Sequence, residues 1–91
     1  MSYCVYILTN RSHSVFYTGS SSAIGRRILE HRRGSGGFTE KYRVNELVYV
    51  EYVANKEEAL KKERKIKKWR KSWKVALIEK NNPKWKDISE T

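Results

Sequence analysis

Glu63 is an acid placed where its surroundings predict none. Between Lys56 and Lys74 the chain carries ten Lys or Arg against three acids, Glu57, Glu58 and Glu63, a net of +7. At about 100° per residue, Ala59, Glu63, Ile66 and Trp73 fall within about 80° of one another. Glu63 therefore belongs to the apolar stripe of a helix and not to its solvated side. A carboxylate facing inward needs a cation or a set of donors to stay charged. Either an internal Lys or Arg supplies it, or something from outside does. A second helical pattern has the same oddity: Ile24, Arg27, Ile28 and His31 share one side, with Arg27 and His31 one turn apart. Each has a bland explanation, in which Arg27 snorkels or pairs with Glu63 and His31 is simply half buried.

Taken together with two tyrosines, Tyr6 on an apolar N-terminal run and Tyr17 beside Gly19, these side chains make a coherent set for cleaving a phosphodiester. A hard divalent cation such as Mg²⁺ or Mn²⁺ is often held by one or two carboxylates, with water and phosphate oxygens completing its shell. Glu63 can supply that carboxylate for one ion. Charge accumulating on phosphate oxygens is stabilised by a planar, permanently charged guanidinium, and Arg27 fits. A phenol with a pKa of about 10 is a poor base at neutral pH. A neighbouring Arg, metal or imidazolium can lower it. Tyr6 and Tyr17 are the candidates, with His31 as a relay or an alternative base.

These groups have to be positioned by a small chain. Tyr3 to Leu8 is rich in aromatic and β-branched residues, and a turn cluster, Asn10 to Ser14, separates it from Val15 to Thr18. That pattern predicts a hairpin. Cys4, Tyr6 and Leu8 share one face of its first strand, and Tyr3, Val5 and Ile7 share the other. Ser20, Ser21 and Ser22 offer N-caps for a helix running to about Arg33, stopped by Gly34. Gly34 to Gly37 reads as a mobile loop. Glu46 to Val53 reads as a third strand, Lys56 to about Trp69 as the charged helix, and Ser72 to about Lys80 as a last one. That last helix is expected to turn Trp73, Ala76, Leu77 and Ile78 inward before Pro83 ends it. The order ββαβαα predicts an α+β layer packing, a mostly antiparallel three-stranded sheet with three helices, in one domain spanning 1–91.

Composition narrows the partners. Lys and Arg number 20 against 10 Asp and Glu, a formal net charge of +10 in 91 residues. Such a density points to polyanions. Cys4 is the only cysteine, which excludes an intrachain disulfide and zinc-knuckle spacing. The longest apolar run, Cys4 to Leu8, is too short to cross a bilayer. No export signal is apparent, so the cytoplasm is the expected compartment and no membrane partner is expected.

Val5-Tyr6-Ile7, then Tyr17-Thr18-Gly19, then Arg27-Ile28-Leu29-Glu30-His31, then Glu63-Arg64-Lys65-Ile66-Lys67 together resemble the GIY-YIG nuclease domain. The resemblance runs from Tyr3 to about Asp87 and is closest to the small stand-alone branch. It implies a three-stranded antiparallel sheet flanked by helices, in agreement with the order read from the pattern. It also implies roles: Tyr6 as general base, Tyr17 as the residue positioning or activating water, Gly19 as a structural motif residue, Arg27 on the scissile phosphate, His31 assisting, and Glu63 as the single metal ligand. A family Asn near the domain end matches Asn81 or Asn82. There are departures. Cys4 stands where many members have Gly, Thr18 replaces an apolar residue, and Ser20-Ser21-Ser22 follows Gly19 where other branches place a Lys.

Lys61, Lys62, Arg64, Lys65, Lys67, Lys68, Arg70 and Lys71 are the expected nucleic-acid contacts. Roughly six phosphate contacts would give a log K against log[salt] slope of about −5 on duplex DNA. Trp69, Trp73 and Trp85 read as core, and Phe38 and Tyr42 as exposed stacking candidates. Three readings stand: a metal-dependent endonuclease acting on nucleic acid, with DNA the first expectation; a binding module of the same fold with little unaided cleavage; and a subunit that takes its specificity from a protein partner.

Overall fold

The computed structural model describes residues 3–33 and 41–90. The Gly-rich stretch and Phe38 lie outside the described residues. Three strands, β1 (Tyr3–Thr9), β2 (Phe16–Ser21) and β3 (Glu46–Val53), form a sheet of order β2-β1-β3 with both pairings antiparallel. The hairpin between β1 and β2 closes on Asn10, whose Oδ1 accepts from the backbone N–H of Ser14 at 2.8 Å and of Val15 at 3.1 Å. An Asx side chain mimics a backbone turn in this way.

Because β1 is central, Val5, Tyr6, Ile7 and Leu8 are wholly buried. The alternation sorts them as the pattern predicts. Cys4, Tyr6 and Leu8 pack with Ile28 of helix α1 (Ile24–Arg32), with Val44 and with Leu47. Val5 and Ile7 pack on the other side with Ala59 and Ile66 of α2 (Lys56–Lys67) and Ile78 of α3 (Lys71–Asn81). Two hydrophobic layers thus clamp one strand between them. Val48 is an extra residue in β3, where the register with β1 shifts between Ile7 and Leu8, a bulge that twists the sheet locally.

Helix α2 starts where its sequence says it should. Asn55 accepts the Glu58 backbone N–H at 2.9 Å, and Glu57 and Glu58 in the first turn favour the positive end of the helix. A 3₁₀ turn, Ile88–Glu90, follows α3 and the tail. Arg32 pins it to α1 through Asp87, 2.6 Å away. Among the described residues no helix is long and apolar enough to cross a membrane.

Two expectations need correction. Ser20 and Ser21 extend β2, and α1 begins at Ile24 without a side-chain cap, because Ser20 pairs with Val5 and Ser21 with Cys4 beyond Gly19. Trp73 is 55% exposed and Ala76 is exposed as well. Helical order lapses between Lys67 and Lys71, so the phase of α2 does not continue into α3. Leu77 is half buried and Ile78 buried, as expected.

Thr18 is the one described side chain whose buried polar atom lacks a hydrogen-bond partner. An unpaired buried hydroxyl costs stability that an isosteric methyl does not. Thr18→Val should therefore raise unfolding free energy by about 1 kcal/mol, seen in urea denaturation as a higher midpoint at unchanged slope. A lower midpoint would mean that the hydroxyl has a partner.

Candidate active site

The site grows from the pairing of Tyr6 with Gly19 across β1 and β2. A Cβ at position 19 would lie 2.6 Å from the Tyr6 hydroxyl oxygen and 2.7 Å from the ring carbon that bears it. Only glycine lets the phenol lie across β2. The ring's hydroxyl then reaches Nε2 of His31 on α1 at 3.3 Å. Tyr17, two residues before Gly19 and on the same face, sets its ring edge-on to His31 at 5.2 Å and at 6.3 Å from Tyr6. Three rings are thereby in mutual contact.

Arg27 lies one turn before His31, and its guanidinium acts directly on the Tyr6 hydroxyl. It is not buried: 44% of its side chain is exposed, and its contact with Glu30 is a loose 3.8 Å. A partly exposed cation beside a buried hydroxyl is available to an incoming anion.

Electrostatics make the Tyr6–His31 pair neutral at physiological pH. Burial pushes the Tyr6 phenol up to about 12, with hydrogen bonding to Arg27 opposing it and the Tyr17 and Glu63 charges adding to it. Burial also lowers the His31 imidazole from its usual 6.5, and the Arg27 charge lowers it further. A protonated phenol thus faces a neutral imidazole.

Glu63 approaches from the opposite layer. Ser20 donates its hydroxyl to Oε1 at 2.5 Å, and Lys67 places Nζ 2.7 Å from Oε2. With 17% of its side chain exposed, Glu63 sits at the sheet's β2 edge, near enough for its charge to act on Tyr6. The cation that balances it is Lys67, not Arg27. The sequence reads Ser20 as a helix cap and Lys67 as a nucleic-acid contact, not as partners of Glu63. For Lys67 a signal existed, since residues four apart on a helix meet. For Ser20 none did. Among the described residues no group of three or more His, Cys, Asp or Glu could hold a metal. A single carboxylate with an adjacent hydroxyl is a hard-oxygen donor set of the kind that suits Mg²⁺ or Mn²⁺.

The eight basic residues expected to meet nucleic acid do not form one face. Lys62 is spent on Glu51, which also accepts from the Tyr49 hydroxyl at 2.5 Å. Lys67 is held by Glu63. Arg70 lies 5.5 Å over the Trp73 ring, and Lys71 donates to the Ser14 carbonyl at 3.3 Å. Lys61, Arg64, Lys65 and Lys68 are exposed and lie within about 100° on the outward side of α2. Tyr42 is exposed, as expected. Asn82 donates to the Val48 and Lys86 carbonyls at 3.1 and 2.8 Å, which makes it a staple for the tail. Asn81 donates to the Leu77 carbonyl at 3.0 Å.

Two titrations check the neutral pair. In ultraviolet difference titration, the component that Tyr6→Phe removes should ionise near 12, about two units above a free tyrosine. By NMR the His31 ring should titrate below the usual 6.5. Because the folded value is depressed, stability owed to this group is complete above about 6.5 and is lost as pH falls through the folded value. A His31 midpoint at or above 6.5 would contradict the assignment of a neutral imidazole.

Residues 2–76 match the GIY-YIG catalytic domain. A UPF0213 protein of Staphylococcus saprophyticus is 39% identical over 75 residues, covering 81% of this chain and 90% of the relative. A UPF0213 protein of Staphylococcus epidermidis is 37% identical over 76 residues, covering 82% and 92%. The solution NMR structure of a UPF0213 protein from Bacillus halodurans superposes with a TM-score of 0.60 at 30% identity, covering 96% of this chain and 93% of that one. Fold, motif order and relatives agree: the chain belongs to the GIY-YIG catalytic domain family, a nuclease family, and to its small stand-alone branch.

Proposed function

We propose that this chain is a divalent-metal-dependent endonuclease that hydrolyses phosphodiester bonds in nucleic acid, DNA foremost. The observation that supports it best is the Tyr6–His31 contact at 3.3 Å, flanked by the Arg27 guanidinium and within the field of Glu63. A proton acceptor, an exposed cation and a carboxylate are thus available around one small region. Arg27 engages the scissile phosphate and offsets its growing charge. Tyr6 need not be a phenolate beforehand. As its oxygen takes a proton from the attacking water, its own proton passes to Nε2 of neutral His31. Tyr17, edge-on to His31, orients that water. Glu63 would hold the Mg²⁺ or Mn²⁺ ion, and when bound that ion supplies Lewis acidity toward a phosphate oxygen.

The outward stripe of Lys61, Arg64, Lys65 and Lys68 adds backbone contacts. Four such contacts give a salt slope of about −4 on duplex DNA, shallower than all eight residues together would give. The cytoplasm is the compartment proposed for it, and a protein partner is the proposed source of its substrate choice.

The test is incubation with linear, branched and single-stranded DNA, and with RNA, in Mg²⁺ or Mn²⁺. Glu63→Ala and Arg27→Ala should each lower cleavage by about 100-fold or more while affinity stays within a few-fold. Arg27→Lys should not restore the rate, since an ammonium lacks the planar fork. Cleavage surviving in Glu63→Ala would reject the one-carboxylate site. Binding without cleavage on every substrate would favour a module that only binds.

A further inference from the structure

Both oxygens of the Glu63 carboxylate have a partner in the structure. Ser20 holds Oε1 at 2.5 Å and Lys67 holds Oε2 at 2.7 Å. Each oxygen still has a lone pair for a cation, but a divalent ion bound there would lie beside the Lys67 ammonium. Ser20 is fixed by strand pairing opposite Val5. Lys67 is 49% exposed and sits on the last turn of α2 with a flexible four-carbon stem, so it is the group that yields.

We infer that Lys67 is a resident counter-cation of Glu63, one that keeps divalent-metal affinity low until nucleic acid arrives and its ammonium transfers from the carboxylate to a phosphate oxygen. This rests on the reading of Glu63 as the metal ligand. In the free protein a metal at Glu63 has to share the carboxylate with the Lys67 ammonium or push it aside, two like charges competing for one anion. A phosphate changes that balance, because it offers the displaced ammonium an anion of its own. Metal and nucleic acid then strengthen each other's binding, and by linkage the coupling is the same in both directions. A basic protein whose metal site is preoccupied by its own lysine engages metal chiefly where phosphate is present.

The experiment is a Mn²⁺ titration of the free protein followed by electron paramagnetic resonance of unbound Mn²⁺, without and with a non-hydrolysable phosphorothioate oligonucleotide. Lys67→Met removes the charge and keeps a good helix former at an exposed position; circular dichroism confirms its fold. It should bind Mn²⁺ about three- to tenfold more tightly than wild type without oligonucleotide, and the oligonucleotide should enhance its affinity less. Lys67→Arg, which preserves the pair, should behave as wild type. Lys80→Met makes the same change in net charge on α3 and should leave Mn²⁺ affinity near wild type. Equal affinity in Lys67→Met and wild type, or equal tightening in Lys80→Met, overturns the inference while leaving the metal site in place. If Glu63→Ala binds Mn²⁺ as wild type does, the reading of Glu63 itself is wrong, and the role of Lys67 goes with it.

Discussion

A phenol buried at the centre of a three-stranded sheet constrains everything around it. Tyr6 has no exposed surface, yet its hydroxyl must meet a polar partner or cost stability. The fold meets that need from three directions. Gly19 removes the cross-strand side chain that would collide with the ring, α1 brings His31 to the hydroxyl, and Arg27 one turn earlier adds a cation. The rest of the sheet's packing, with hydrophobic layers on both faces, holds these elements in register.

The two halves of the site belong to opposite layers. Tyr6, Tyr17, Arg27 and His31 gather on the α1 side, while Glu63 comes from α2 and grips Ser20 on the edge strand. β2 joins them, since consecutive residues of a strand point to opposite faces: Gly19 faces Tyr6, and Ser20 faces Glu63. The carboxylate is thereby fixed to the same strand that accommodates the phenol. As an edge strand, β2 pairs only with β1 among the described residues.

Much of this was legible in the chain. The alternation of Tyr3 to Leu8 assigned each residue to its layer, the inward position of Glu63 followed from helical spacing alone, and so did the adjacency of Arg27 and His31. What escaped had physical reasons. Ser20 reads as a helix cap because serine favours caps; that β2 continues past Gly19 depends on pairing with β1, which local pattern does not reveal. Trp73 was placed in the core by running the phase of α2 through a break at Lys68 to Arg70, and a break resets phase. Lys62 and Lys67 read from the sequence as nucleic-acid contacts like their neighbours. Their acidic partners are Glu51 across the fold, which is not visible in the local pattern, and Glu63 one turn away, which the spacing allows but does not select.

The central claim is that the carboxylate from one layer and the three rings from the other surround a single metal-accessible region. Paramagnetic broadening by substoichiometric Mn²⁺ in the NMR spectrum of the free protein tests it most directly. The ring signals of Tyr6, Tyr17 and His31 should broaden together with Ser20, and Glu63→Ala should abolish the effect. Broadening centred instead on the Glu51 or Asp87 carboxylates, with those three rings untouched, would contradict it.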